Sequence, residues 1–381
     1  MRSVSLLLAG LCLPLSLAAC LYPAASAQLE DMGSLGEEQV KERAELQNMK
    51  DEIGDIKKTM SEAAQAMSKL NSQLSQGQVQ EFHLVARETS WEISPGVSVK
   101  AMAYNQRVPG PVIRVTEGDQ IRIVLHNQLP VPTSLYFHGL VLPHGVDGLP
   151  RRGAGLVGPG ETYGYQFAAS RAGTVWYHPQ VIHAGQIFDG LSGALVVEPR
   201  TAARTYTKDY VLVLGEWQAA PRAAASAPAK ASKQAAAARK ESAAVSNTVR
   251  NGSGKAAPAM VTYFTVNGKT APEIPPIEVK GGDRLRLRVI NAARHPCPLY
   301  LTGHRFEIMA VNGSEPRDVN VATDMCTLQP GDRFDLELVA DNPGVWSLSS
   351  LLPDQASNDG AFPGGIACVV RYTDLPRTGR L

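Results

Sequence analysis

Net charge is almost absent from this sequence. Its 381 residues carry 37 Lys and Arg against 36 Asp and Glu, a formal +1. A partner of phosphate backbones needs a basic excess, so the charge gives no electrostatic reason to invoke nucleic acid, and none is expected as a partner. A long membrane-spanning run is missing too, since the apolar stretch from Val4 to Leu17 falls short of the ~20 residues a transmembrane helix requires. Cysteine is scarce: beyond residue 20 only Cys297, Cys326 and Cys368 occur. Three is odd, so they allow one disulfide at most and leave at least one thiol free or paired between chains. Large apolar residues are nearly lacking from residues 219–259, which are rich in Ala, Lys, Ser and Pro. Such a stretch cannot bury enough surface to offset its ordering entropy, and it reads as a disordered insertion, or alternatively as a partly helical spacer.

What is present begins with an export signal, Arg2 followed by the Val4–Leu17 run. The run ends in Leu17-Ala18-Ala19-Cys20, which resembles the lipobox of bacterial lipoproteins. That resemblance implies a lipid on the Cys20 thiol and a periplasm-facing, membrane-anchored envelope protein, with the outer membrane as its expected site. Cleavage after Ala25-Ser26-Ala27 is the alternative and leaves a soluble exported chain. Both place the protein in an oxidising compartment. From Leu46 the apolar residues step by three and four. Leu46, Ile53, Met60, Met67 and Leu74 fall on one seam position, and Met49, Ile56, Ala63 and Leu70 on the other. This heptad pattern predicts a coiled coil over residues 46–74 that assembles copies of the chain; a single amphipathic helix lying on the next domain is the alternative.

After Gln78 the texture changes to short alternating runs bounded by Gly and Pro, the mark of all-β structure. The pattern then repeats. Ile113-Arg114-Val115-Thr116-Glu117-Gly118-Asp119-Gln120-Ile121 is echoed by Ile277-Glu278-Val279-Lys280-Gly281-Gly282-Asp283-Arg284-Leu285. Asn127 and Asn291 close the two segments at equal spacing, and Pro159-Gly160-Glu161 matches Pro330-Gly331-Asp332. Two copies of one sandwich explain the repeat. The expected division is a signal at 1–20, a stalk at 21–78, a first sandwich at 79–218, the insertion at 219–259 and a second sandwich at 260–381.

Tyr104-Asn105-Gln106-Arg107-Val108-Pro109-Gly110-Pro111 followed by Glu117-Gly118-Asp119 resembles the opening of a multicopper oxidase. The likeness continues at Trp176-Tyr177-His178-Pro179, at Gly190-Leu191-Ser192-Gly193-Ala194-Leu195 and at Asp341-Asn342-Pro343-Gly344. It covers nearly all of residues 82–216 and 260–373. The arrangement is most similar to two-domain laccases and copper nitrite reductases. It implies an all-β fold of two cupredoxin-like Greek-key sandwiches, here preceded by the coiled-coil helix, and a trimer.

The family's chemistry needs a Cys thiolate and two imidazoles for its electron-entry copper, and four His-x-His pairs for its oxygen-reducing cluster. By this resemblance the first pair lies at Tyr136-Phe137-His138 and keeps one His, and the second at His178-Pro179-Gln180 keeps one more. The third falls at Tyr300-Leu301-Thr302 and the fourth at Ser349-Ser350-Leu351, where no ligand remains. The electron-entry imidazoles correspond to Cys297 and Gln355, and Ile366, Ala367 and Cys368 stand near the axial position. A working multicopper oxidase is therefore not expected. The expected function is a non-redox binding or structural one. The alternative is a copper protein with at most one residual site, at His138 and His178, completed by His183 or by Tyr136, Gln180 or His144. His83, His126 and His295 are expected at the surface or at strand edges.

Overall fold

The computed structural model describes residues 46–62, 79–142, 146, 156–180, 185–202, 204–221, 260–313, 322–358 and 362–374. Residues 46–62 form a helix, α1, that leaves Met49, Ile53, Ile56 and Met60 exposed along its seam. The rest of the expected stalk, Cys20, His144, His183 and most of the Ala/Lys-rich insertion lie outside the described residues.

The head is two β-sandwiches. In the first, β1 (Val79–Ser94), β2 (Val97–Tyr104), β4 (Gln120–Asn127) and β6 (Thr162–Ala168) form one sheet in the order β2-β1-β4-β6. Facing it, β3 (Ile113–Thr116), β5 (Tyr136–His138), β7 (Gly173–His178) and β8 (Gly193–Glu198) run in the order β3-β8-β7-β5. A short helix, α2 (Gly185–Phe188), precedes β8. The inward residues alternate as a half-buried strand requires: Ile121, Ile123 and Leu125 of β4 meet Phe137, Val175 and Tyr177 in one core.

The second sandwich repeats the plan. One sheet takes β9 (Lys208–Ala219), β10 (Val261–Val266), β12 (Arg284–Asn291), β14 (Phe306–Val311) and β16 (Arg333–Val339) in the order β10-β9-β12-β16-β14. The other takes β11 (Ile277–Val279), β13 (Cys297–Leu301), β15 (Met325–Leu328), β17 (Val345–Ser350) and β18 (Ala367–Tyr372), with α3 (Pro353–Ala356) after β17. The repeat extends to single hydrogen bonds. Asp119 accepts from the Thr116 backbone N–H at 2.9 Å, and Asp283 from that of Lys280 at 2.8 Å, each closing a turn whose Gly118 or Gly282 has positive φ. Asn127 and Asn291 each tie one carbonyl and one N–H of the following loop to a distant carbonyl, that of Val157 or Leu328.

One expected boundary moves. The sequence division puts β9 in the first sandwich, ending at 218, yet the strand pairs in parallel with β12 and antiparallel with β10. It is the counterpart of β1, which pairs in parallel with β4 and antiparallel with β2. The division between sandwiches therefore falls between β8 and β9. The insertion joins the two strands of the β9–β10 hairpin, where the first sandwich has the tight turn at Pro95-Gly96. The three cysteines are free, buried thiols. Cys297 and Cys326 sit on neighbouring strands but face Leu328 and Leu299 in register, which sets them apart for a bridge.

The sandwiches join through an apolar cluster, in which Trp176 and Ala194 pack with Val213, Ile290 and Ala292, and through polar groups beside it. Arg288 of β12, fully buried, reaches Asp209 at 2.8 Å, Glu198 at 3.2 Å and the Thr174 hydroxyl at 3.0 Å. Thr174 in turn donates to Asp335 at 2.5 Å, and Arg114 bridges Glu198 and Asp209. Glu198, Thr174 and Arg114 belong to the first sandwich and the rest to the second. A buried guanidinium is tolerated because every face of it meets an anion or acceptor.

Candidate metal centre

The edge strand β5 and its neighbour β7 build the site. Alternation sends Phe137 into the core and leaves Tyr136 and His138 on the opposite face, the one turned to the second sandwich. The register opposes Tyr136 to His178 and His138 to Trp176, so the two imidazoles sit diagonally with ring centroids 5.8 Å apart. The Trp176 ring stands 4.1 Å from His178, and the Tyr136 ring 5.5 Å. Of the residues expected to bind metal, the structure thus brings together His138 and His178.

His178 Nδ1 donates to the Pro179 carbonyl at 2.9 Å, which leaves its Nε2 as a bare lone pair. That Nε2 is buried without a hydrogen-bond partner, as is Trp176 Nε1. Burial first, and the nearby His138 and Arg333 after it, push His178 down to about 4, while burial and then Arg333 lower His138. Both rings are therefore neutral at ordinary pH, the form a metal would accept.

Arg333 is the residue that sequence reasoning missed. From the start of β16 it lays its guanidinium against Gly139, where an added Cβ would come within 2.9 Å of Nη2, and its Nε donates to the Thr174 carbonyl. It is only 2% exposed, and its Nη1 has no partner. A fixed cation beside two imidazoles opposes a second cation between them. Its one sequence signal is an Arg beginning a strand at the repeat position where the first sandwich has Thr162.

The residues that the family resemblance sets at the electron-entry copper are hydrogen-bonded to one another. Ser350 Oγ donates to Gln355 Oε1 at 2.7 Å and accepts from the Leu352 N–H, and Gln355 Nε2 donates to the Pro296 carbonyl at 2.8 Å. Cys297 is in hydrogen-bond contact with Ser350, and burial pushes its thiol up to about 12, so it stays protonated. Ile366 is fully buried beside them. With no imidazole and no thiolate, these residues do not fit a blue copper. Elsewhere, Thr302 pairs with the Ser347 backbone and His304 Nε2 bonds the Tyr372 hydroxyl at 2.8 Å, both as structural links. His295 is held by Glu216 at 2.8 Å. Among the described residues no group of three or more His, Cys, Asp or Glu side chains is placed to hold a metal.

Two repeated sandwiches with a paired-histidine locus on their shared face define a two-domain cupredoxin protein. The comparisons agree. Multicopper oxidase profiles match residues 85–202 and 208–368, and the chain belongs to the multicopper oxidase family. It is 31% identical to a blue copper oxidase of Nitrosomonas europaea, with a TM-score of 0.64 over 77% of this chain and 86% of that one. A multicopper oxidase of Mycobacterium tuberculosis is 28% identical over 67% of this chain and 51% of its own. Copper resistance protein A of Escherichia coli is 35% identical over 36% of this chain and 22% of its own. The chain spans about half or less of the length of these curated relatives.

Proposed function

We propose that this protein is a family member whose copper sites have been replaced, serving as a non-redox binding or structural component of the cell envelope. The observation that carries the reading is the Ser350–Gln355 hydrogen bond, seated with Cys297 where the family's electron-entry copper would need a thiolate and two imidazoles. Electrons have no route into a cluster without that centre. Arg333 adds a positive charge at the cluster position, where two of eight imidazoles remain. The Leu17–Cys20 motif supports a lipid anchor at Cys20, and the exposed seam of α1 supports self-association of the heads as a trimer.

A second reading rests on His178 Nε2, buried and unpartnered. Were copper held there, His138 and His178 would supply two imidazoles and Tyr136 or Gln180 a third donor, and the ion would bring redox chemistry to the pocket. Elemental analysis after copper loading and washing separates the two. The proposed reading expects the same copper content in the unmodified protein and in the His138→Ala plus His178→Ala double variant. Copper lost with that double variant, together with an activity, overturns it.

A further inference from the structure

We propose that the exposed His83 and the half-buried His126, on the outer face of the first sandwich, form a two-imidazole site for a divalent transition-metal ion, with copper(II) preferred. The proposal stands apart from the pocket at His138 and His178 and does not depend on it.

The site follows from strand register. β1 and β4 run parallel, with Glu81 opposite Arg122, His83 opposite Val124 and Val85 opposite His126. Phe82 and Leu84 of β1, like Ile123 and Leu125 of β4, turn to the core, so Glu81, His83 and His126 share the solvent face. The two rings stack at 12° with centroids 5.3 Å apart, and His83 Nδ1 lies 3.0 Å from His126 Nε2. Two imidazoles bound at right angles to one ion, each at about 2.0–2.1 Å, have nitrogens about 2.9 Å apart. The pair is already at the separation of adjacent ligands.

The outward nitrogens are held as metal-binding imidazoles are held. His83 Nε2 lies 3.0 Å from Glu81 Oε1, and His126 Nδ1 lies 3.0 Å from the Thr162 hydroxyl. A carboxylate only accepts, so His83 carries its proton on Nε2 and presents a lone pair at Nδ1. In the metal-free pair His126 Nε2–H donates to that lone pair, and the Thr162 hydroxyl donates to His126 Nδ1. When an ion binds, the His126 proton moves to Nδ1 and Thr162 accepts it, freeing Nε2. The step moves one proton within the His126 ring and releases none. Arg122 Nε, 3.3 Å from Glu81 Oε2, steadies the carboxylate on its far side. Water completes the coordination, because the surface is open there. Imidazole suits copper, nickel and zinc, and copper(II) binds most tightly in that series.

The test is titration of the full chain with copper(II) chloride in a non-coordinating buffer, followed by equilibrium binding and electron paramagnetic resonance. One copper per chain is expected, with splitting from two nitrogens. His83→Ala and His126→Ala should each weaken binding at least tenfold. Glu81→Gln keeps both ligands and loses only the supporting carboxylate, for which about tenfold or more is expected. The His138→Ala plus His178→Ala double variant should bind as the unmodified protein does. Absence of saturable copper binding, or an affinity in His83→Ala or His126→Ala unchanged from that of the unmodified protein, overturns the proposal.

Discussion

Ser350 Oγ lies 2.7 Å from Gln355 Oε1, and the other end of the same amide bonds the Pro296 carbonyl at 2.8 Å. One side chain thus ties the end of β17, the helix α3 and the entry to β13. Gln355→Ala leaves a buried hydroxyl and a carbonyl unmatched, and about 1–3 kcal/mol of stability should be lost for each group left bare. Urea unfolding of the variant reads this directly. Rebuilding the ligand set with Ser350→Cys, Gln355→His and Cys297→His should bring an intense visible band on copper addition that the unmodified protein does not show.

Arg288 should be the costliest single truncation at the joint between the sandwiches. Arg288→Ala removes a cation from the half-buried Asp209 and from the buried Asp335. Loss of one partner from such a network destabilises by about 3–5 kcal/mol. Calorimetry should show the melting temperature fall by several degrees, with an intact second sandwich core at low temperature.

The same joint should be sensitive to acid. Burial by itself would raise the Asp209 carboxyl, but its bonds and charge contacts with Arg288 and Arg114 outweigh burial and hold it below its ordinary value. A carboxyl with a depressed folded-state pKa stabilises above its unfolded pKa of ~3.9, and that contribution disappears as pH falls through the lower folded value. Melting temperature should therefore drop below about pH 4. In Asp209→Asn the slope over that window should be shallower, starting from a lower plateau.

Much of this head is legible in the sequence, and the reason is locality. The Gly-Asp turns at Gly118-Asp119 and Gly282-Asp283 each close within a few residues, so each announces itself wherever it occurs. The place of β9 is hidden for the opposite reason, since its partner β12 begins 76 residues later at Arg284, and a parallel pairing leaves no turn between the strands. Arg284, Arg286 and Arg288 alternate with Leu285, Leu287 and Val289, as in a strand with one wet face. Arg333, Asp335 and Glu337 do the same beside them. The sequence does not show that the first sandwich covers part of this charged stripe, and so the cation at the candidate site went unseen. His83 and His126 meet across 43 residues by register alone, which no motif records.

The seam of α1 carries the assembly prediction. Ile53 and Ile56 are exposed on the single chain. A charge placed at a coiled-coil seam desolvates without a partner when copies associate. Ile53→Asp should shift the chain to a smaller species in light scattering while the head keeps its thermal transition; unchanged mass would count against self-association through this helix.

The connector between β8 and β9 gives the two halves little slack, for it spans only the residues from Pro199 to Thr207. Thr207 is itself fastened, its N–H donating to the Arg284 carbonyl at 2.7 Å and its hydroxyl accepting from the Arg284 N–H. Cutting the chain here would not free either half, because the linkage runs sideways through Arg288, Thr174 and Asp335 rather than along the backbone. A nicked preparation should migrate as one particle under native conditions and as two fragments only in denaturant. On this geometry the covalent thread matters for bringing the halves together and not for keeping them so.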